Sequence, residues 1–260
     1  MAARTPMDVP AGRLAGLRRY NLVAGVVHAV QAVAIVLLAS DFGLPVTAQY
    51  LGGPPGSTNF ERVTLFDVQL AWGVFAFFAL SAIAHLWLVT PAGFRRYAAG
   101  LAWQRNVARW VEYGLSSSIM IFLIAQITGV SDIVALSAIF AVNAATILFG
   151  WVQEKYEVPG EGGMLPFVFG SMVGVVPWLA VAFLLVAPGS TSGAEPPGFV
   201  YGIIVSIFLL FNTFAINQWL QYKQVGRWKD YLVGERAYIT LSLVAKSLLA
   251  WQVFANTLAP

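Results

Sequence analysis

Two charged side chains lie in stretches of sequence that are otherwise almost wholly apolar. Lys246 is near the centre of a run from Ala237 to Leu258, and Glu112 lies in RWVEYGLSSSIM. Placing a lysine at the middle of a membrane span costs about 2.5–3.5 kcal/mol, so such a residue is a candidate functional site. Burial favours the neutral amine, which is the form that condenses with an aldehyde. The alternative is a structural ion pair between Lys246 and Glu112.

Small polar side chains accompany both charges at helical spacing. Glu112, Ser116 and Met120 are four residues apart, which places them on one face of a helix, with Tyr113 and Ser117 beside that face. These serines have an alternative interpretation, since small hydroxyl residues are common where membrane helices pack together.

Ser242 precedes Lys246 by one helical turn and shares its face, and Glu235 lies further along that face. The Ser242 hydroxyl is therefore within reach of either the lysine nitrogen or Glu112.

The two histidines each have a polar neighbour on the same helix face. His28 and Gln31 are three residues apart, and Ser81 and His85 are four apart. Each histidine alone is best explained by a hydrogen bond to a buried carbonyl. Two histidines in successive apolar segments favour one internal polar cavity lined by all four side chains.

The composition shows what kind of molecule must position these residues. Hydrophobic residues make up 58% of the 260 and charged residues only 10%, which predicts a polytopic helical membrane protein. The absence of cysteine excludes disulfides and cysteine metal sites, and two histidines with few carboxylates argue against a metal centre. The basic residues are better explained as topology signals than as a nucleic-acid surface.

Seven segments are long and apolar enough to span a bilayer, and we predict an all-α bundle that forms a single domain over residues 1–260. The predicted spans are 20–39, 68–89, 107–128, 131–152, 165–187, 199–222 and 237–258. The connection from Ser40 to Asp67 contains the turn-rich LGGPPGST between PVTAQYL and VTLF, which predicts a β-hairpin, with the membrane surface as its expected place. Asp67, Asp132 and Glu154 are expected at span ends, in reach of water.

The basic residues indicate the orientation of the chain. With seven spans, thirteen of the fifteen lie on one side, and only Arg62 and Lys246 do not. The positive-inside rule then places the N-terminus in the cytoplasm and the C-terminus outside. The thirteen are Arg4, Arg13, Arg18, Arg19, Arg95, Arg96, Arg105, Arg109, Lys155, Lys223, Arg227, Lys229 and Arg236.

Aromatic residues concentrate in the last three spans, where they could line a site for a rigid ligand or simply pack against lipid and core. They are Trp178, Phe208, Phe211, Phe214 and Trp251. Pro177 precedes Trp178 and is expected to kink the fifth span, which would open room beside the tryptophan.

Seven spans with a lysine in the seventh and a carboxylate in the third resemble a retinal-binding rhodopsin, and the inverted orientation is similar to that of heliorhodopsins. The resemblance covers nearly the whole chain after about Arg18. Its stretches are WVEYGLSSSIMI, DIVALSAIFAVNA, ILFGWVQEKY, APGSTS, PGFVYGII and GERAYITLSLVAKSLLAWQ.

This resemblance implies roles for particular residues. Lys246 would carry retinal, all-trans in the dark, as a protonated Schiff base, and Glu112 would be its counterion. Ser242 and Ser116 would tune these two groups, and a polar cavity on the cytoplasmic side would contain His28, Gln31, Ser81 and His85. The remaining residues that we assign to the cofactor site are Tyr113, Ser117, Met120, Asn143, Pro177, Trp178, Phe211 and Gln218.

The resemblance also implies a light sensor with a slow photocycle rather than an enzyme. The long first loop would contribute to a homodimer in the plasma membrane, among lipids, with a cytoplasmic signalling partner.

Two alternatives to the sensor remain open. In proton-pumping rhodopsins a donor carboxylate follows the counterion and a hydroxyl on the third helix, but here Glu112 and Ser116 are followed by the apolar Leu123. A light-driven ion transporter is therefore the less favoured alternative. The other is a retinal-free transporter or receptor that binds its substrate at Lys246 and Glu112.

Overall fold

The computed structural model describes residues 5–186, 193 and 195–259. Among these residues, seven helices have the length and hydropathy needed to cross a membrane, as predicted. The helices in chain order are α1 (Ala11–Leu38), α2 (Leu70–Val89), the short α3 (Pro91–Ala102), α4 (Val107–Ile127), α5 (Ile133–Tyr156), α6 (Leu165–Val186), α7 (Gly198–Tyr222) and α8 (Tyr231–Val253), which continues as a π-helical turn at Phe254–Leu258.

Two helices begin more than one turn before their predicted starts. α1 begins at Ala11 rather than at residue 20, and α8 begins at Tyr231 rather than at residue 237. Both early turns carry charged residues, which a search for apolar spans leaves out, although helices readily extend beyond the apolar core of a bilayer. Ala187, the last residue of the predicted fifth span, and the stretch APGSTS lie outside the described residues.

The short helix α3 was not predicted from the sequence. Thr90 caps its first turn, accepting a hydrogen bond from the Gly93 amide at 3.1 Å, and Pro91 occupies the first helical position. Its inner face buries Tyr97 and Leu101, whereas Arg95 and Arg96 are exposed. α3 is therefore an amphipathic helix that packs on the end of the bundle and is too short to span it.

The predicted β-hairpin is present. β1 (Gly43–Leu51) and β2 (Phe60–Gln69) pair as antiparallel strands, with an irregular register between Val46 and Thr47. At that irregularity Val46 is fully buried, and the Thr47 amide donates to the Ser131 carbonyl at 2.8 Å. β1 is thereby attached to the turn between α4 and α5. The expected place on the membrane surface stays a prediction.

Successive spans run in opposite directions and define two ends of the bundle. We call the hairpin end the one that holds β1, β2 and the π-helical turn, and the basic end the opposite one. The short turn between α4 and α5 lies at the hairpin end, where Gly129 has the positive φ of +101° that favours glycine. The basic end holds α3 and the basic residues of the loops. Which end faces the cytoplasm stays a prediction.

The buried core is divided unequally between the two ends. Its largest apolar cluster fills the bundle toward the hairpin end, with Val46, Phe77, Ile121, Leu249 and Leu258 among its members. Smaller clusters at the basic end include Leu17, Tyr97 and Leu101 under α3, and Trp110 with Tyr113 and Tyr238. Buried polar residues are interspersed with these smaller clusters.

Candidate functional site

Lys246 and Glu112 meet inside the bundle. The Nζ atom of Lys246, on α8, lies 3.2 Å from Oε1 of Glu112, on α4, and their side chains are 4% and 6% exposed. Such a pair is stable only when both charges have further polar partners, because removal from water costs each ion several kcal/mol.

Hydroxyl groups supply those further partners. Lys246 Nζ donates to Ser242 Oγ at 2.7 Å, and Ser81 Oγ donates to Glu112 Oε1 at 2.6 Å. Lys246 Nζ also lies 5.0 Å from the ring centroid of Tyr113. Ser116 is fully buried one turn from Glu112, and its hydroxyl has no hydrogen-bond partner of good geometry among the described residues.

An apolar space adjoins the lysine. A cavity of about 50 Å³ reaches the Lys246 side chain, and a second of about 580 Å³ lies among α4, α5, α6, α7 and α8. Both are bordered by the same four side chains, Tyr113, Ile147, Phe211 and Phe214, so they meet at these residues. The smaller one is also lined by Ser117, Met120, Ser242 and Ala245.

The large cavity has an aromatic wall. The Trp178 ring contacts Phe208 and Phe211 edge to face, with centroids 5.2 and 5.5 Å apart. Pro177 lies within α6 beside this wall and is buried, but it does not line either cavity. The kink predicted at Pro177 stays a prediction.

Two amides predicted for the site line the large cavity. Asn143 donates to Ser117 Oγ at 2.8 Å and to Ser118 Oγ at 3.0 Å, and Gln218 donates to the Gly150 carbonyl at 3.0 Å. Their donors are therefore satisfied within the protein, and the cavity surface remains mainly apolar.

A polar region lies on the other side of Glu112, toward the basic end. His28 and His85 stack with ring centroids 5.7 Å apart, and His85 Nδ1 lies 2.7 Å from Asn21 Oδ1. A cavity of about 20 Å³, room for about one water, is bordered by His85, Glu112 and Asn21.

Gln31 does not join this group. It lies one turn nearer the hairpin end, where Oε1 accepts a hydrogen bond from the Trp251 indole at 3.0 Å. Of the four residues predicted for the polar cavity, the structure places Ser81 and His85 beside Glu112, stacks His28 on His85 and separates Gln31.

A buried charge cluster at the basic end was not predicted. Arg109 forms ion pairs with Glu154 and Glu235, and the carboxylates are 3% and 1% exposed. Glu154 therefore does not reach water as expected, because the Arg109 pair and the Trp110 indole hold it inside. Arg109, counted among the basic residues of one side, is likewise buried, at 6% exposed.

The sequence contains only part of the signal for this cluster. Arg109 is one turn before Glu112, and Glu235 is seven residues before Ser242 on the same helix face. Charged residues at the ends of membrane spans usually face water, so spacing along a single helix does not predict that the three members of the cluster are buried together.

The part of the chain that the structure describes contains no group of three or more His, Cys, Asp or Glu that could hold a metal ion. The donor set fits retinal instead. Lys246 offers an amine for an aldehyde, Glu112 offers an anion for the resulting cation, and the apolar cavities offer space for a polyene.

The fold is that of microbial rhodopsins. The chain aligns with the transmembrane domain of a Salpingoeca rosetta rhodopsin phosphodiesterase at 13% identity and a TM-score of 0.64, covering 93% of this chain and 84% of that one. It aligns with Exiguobacterium sibiricum rhodopsin at 12% and 0.62, covering 95% and 97%. A cyanorhodopsin from Tolypothrix aligns at 12% and 0.57, covering 96% of each chain.

The fold and the seven membrane-length helices define a multi-pass membrane protein of the seven-helix rhodopsin class. More particularly, the heliorhodopsin family model matches residues 17–258, and the chain belongs to that family. No curated protein matches the chain in sequence. The match to the phosphodiesterase concerns its transmembrane domain only.

Proposed function

We propose that the protein is a light-sensing photoreceptor in which Lys246 carries retinal as a protonated Schiff base and Glu112 is the counterion. The observation that carries the proposal is the Lys246–Glu112 pair, 3.2 Å apart and buried beside an apolar cavity. A lysine in that environment has both the apolar surroundings for condensation and the anion that a Schiff-base cation requires.

The protein's own residues would position and tune the chromophore. Ser242 and Ser81 hold Lys246 and Glu112 in place through hydrogen bonds of 2.7 and 2.6 Å. Trp178 and Phe211 would confine the polyene, which we expect to be all-trans in the dark. Bound retinal would supply light absorption and isomerisation.

The distribution of polar groups favours sensing over ion pumping. On the basic side of Glu112 lie His85, Asn21 and a small polar cavity. On the hairpin side, Phe77, Ile121 and Leu123 belong to a continuous buried apolar cluster. A pump needs polar access on both sides of the Schiff base in turn, so we propose a slow photocycle whose proton stays on the basic side and whose output is a signal.

The remaining assignments follow from the family and complete the proposal. We expect the basic end to face the cytoplasm and to contact a signalling partner there. We also expect the chain to act as a single domain in the plasma membrane and to form a homodimer to which the β-hairpin contributes.

A visible spectrum of the Lys246→Ala variant tests this function. Wild-type protein expressed with all-trans retinal is expected to be coloured, and the variant colourless, because alanine has no amine to condense. Lys223→Ala is the matched control, since Lys223 is exposed at the end of α7 and is expected to leave the colour unchanged.

A colourless wild type would refute the proposal. Colour that persists in Lys246→Ala would place the chromophore elsewhere. A colourless protein that takes up a solute through the Lys246–Glu112 site would favour the retinal-free transporter.

A further inference from the structure

A chain of hydrogen bonds leads from the polar region beside Glu112 to the short helix α3. His85 Nδ1 bonds Asn21 Oδ1 at 2.7 Å, Asn21 Nδ2 bonds the Tyr97 hydroxyl at 3.5 Å, and Tyr97 donates to Glu235 Oε1 at 2.9 Å. Asn21 is 1% exposed, His85 7%, Tyr97 4% and Glu235 1%. These four side chains are therefore shielded from bulk water.

The chemistry of these groups fixes the donor and the acceptor in each of these hydrogen bonds. The amide oxygen of Asn21 can only accept, so His85 Nδ1 must be the donor, and in a neutral imidazole this leaves Nε2 as the acceptor. Tyr97 then accepts from Asn21 and donates to a carboxylate. A proton gained at His85 Nε2 would strengthen the Nδ1–H donor and polarise the bonds that follow it.

Tyr97 keeps its proton in this position. Burial raises the pKa of its phenol well above the ordinary range, and the neighbouring Glu235 carboxylate raises it further. The hydroxyl therefore remains a donor to Glu235 at physiological pH.

Tyr97 is also the polar side chain by which α3 reaches the buried charge cluster. Glu235 accepts from Tyr97, from Asn106 at 2.8 Å and from Arg109. α3 is also attached through an apolar face containing Leu101, through the Arg18 guanidinium, 4.9 Å from the Phe94 ring centroid, and through the Ala102 carbonyl, which accepts from the Met7 amide at 2.8 Å. On its outer face, Arg95 and Arg96 are exposed.

We propose that Tyr97 is a positioning residue that couples the retinal site to α3, so that light-driven rearrangement at Glu112 and His85 shifts this surface helix and its exposed arginines. The inference rests on the proposed function, since it requires a light-driven event at Lys246. In this proposal α3 is the element whose movement a signalling partner would detect at the basic end.

A label on α3 tests the coupling directly. The chain contains no cysteine, so Arg96→Cys creates a unique attachment point for a nitroxide or a fluorophore. We expect the label to change its mobility in the light, with the time course of the photocycle. In the Tyr97→Phe background, which keeps the ring and removes the hydroxyl, that change is expected to fall several-fold.

Two controls separate this role from a merely structural one. Tyr20→Phe removes a hydroxyl from the same end of the bundle, where Tyr20 bonds Thr240 at 2.6 Å, and is expected to leave the response of the label unchanged. A label at Lys223→Cys, beyond α7, is expected to respond less than the label on α3. Asn21→Leu breaks the chain one bond earlier and is expected to reproduce the loss seen in Tyr97→Phe.

The outcomes distinguish this inference from the function on which it rests. An α3 label that stays still while the pigment completes its photocycle overturns the coupling and leaves the photoreceptor intact. An undiminished response in both Tyr97→Phe and Asn21→Leu overturns it as well. A sample without visible absorbance refutes the photoreceptor itself, and the coupling with it.

Discussion

The side chain of Lys246 has a set of contacts suited to a cation that is held in place rather than one that is freely solvated. Nζ has one anionic oxygen and one hydroxyl within hydrogen-bond range and an aromatic ring beside it. Glu112 is the nearest source of negative charge, and removing it would leave a buried charge unpaired. Breaking a buried pair in this way typically costs about 3–5 kcal/mol.

The Glu112→Gln variant should therefore shift the absorption maximum strongly to longer wavelength. An anion beside the Schiff base stabilises the positive charge where it is localised in the ground state, and its loss narrows the gap to the excited state. The measurement is a visible spectrum of the purified pigment. Glu61→Gln, on the exposed face of β2, is the control and should leave the maximum in place. An unmoved maximum in Glu112→Gln would remove Glu112 from the counterion role.

At the scale of elements, the Arg109 cluster joins three helices at the basic end. Arg109 lies in the first turn of α4, Glu154 in the last turn of α5 and Glu235 near the start of α8. Tyr231 adds a hydrogen bond to Glu154 at 2.9 Å. Because the charges are nearly inaccessible to water, each depends on the others for its stabilisation.

Replacing Arg109 by leucine should lower the stability of the bundle by about 3–5 kcal/mol, because two carboxylates would remain buried without a cation. Thermal unfolding, monitored through the loss of visible absorbance, would measure this change in stability. The comparison is Arg13→Ala, which breaks the Arg13–Asp230 pair, where the side chains are 42% and 35% exposed. Exposed pairs contribute about 0.2–1 kcal/mol, so a similar loss in both variants would contradict the structural role of the cluster.

The helices and the hairpin also show which features of the fold can be predicted from the sequence. Seven apolar runs, a strand-like loop and a lysine facing a carboxylate were predictable, since hydropathy and helical spacing act within a single segment. α3 was missed because it has only twelve residues and Arg95 and Arg96 made it resemble a loop. The Arg109 cluster was missed because its members are distant in sequence, and only packing makes them neighbours.

At the scale of the whole molecule, the two ends differ in how many polar groups they bury near Glu112. The hairpin end is closed by apolar packing to which β1 contributes Val46, and the Ser40 amide is bonded to the Leu258 carbonyl at 2.8 Å. The basic end has the two histidines, Asn21 and the small polar cavity beside Glu112. A proton released near Glu112 would meet these histidines toward the basic end and a mainly apolar core toward the hairpin end.

Proteoliposomes containing the pigment should therefore show no sustained light-driven pH change. The measurement is the signal of a pH dye under continuous light. A proton-pumping rhodopsin reconstituted in the same way confirms the sensitivity of the assay, and Lys246→Ala liposomes correct for heating. A steady gradient that a protonophore abolishes would instead favour the ion transporter.

Burial is also unequal among the spans, and this bears on how the sequence can change over time. In its most apolar stretch, α4 has 67% of its residues buried inside the protein, whereas α6 has 17%. Most positions of α6 are thus constrained by little more than hydrophobicity, while those of α4 must fit specific neighbours. Mutational tolerance should accordingly be high in α6 and low in α4. As the sequence drifts over time, α4 would therefore retain its ancestral residues longest.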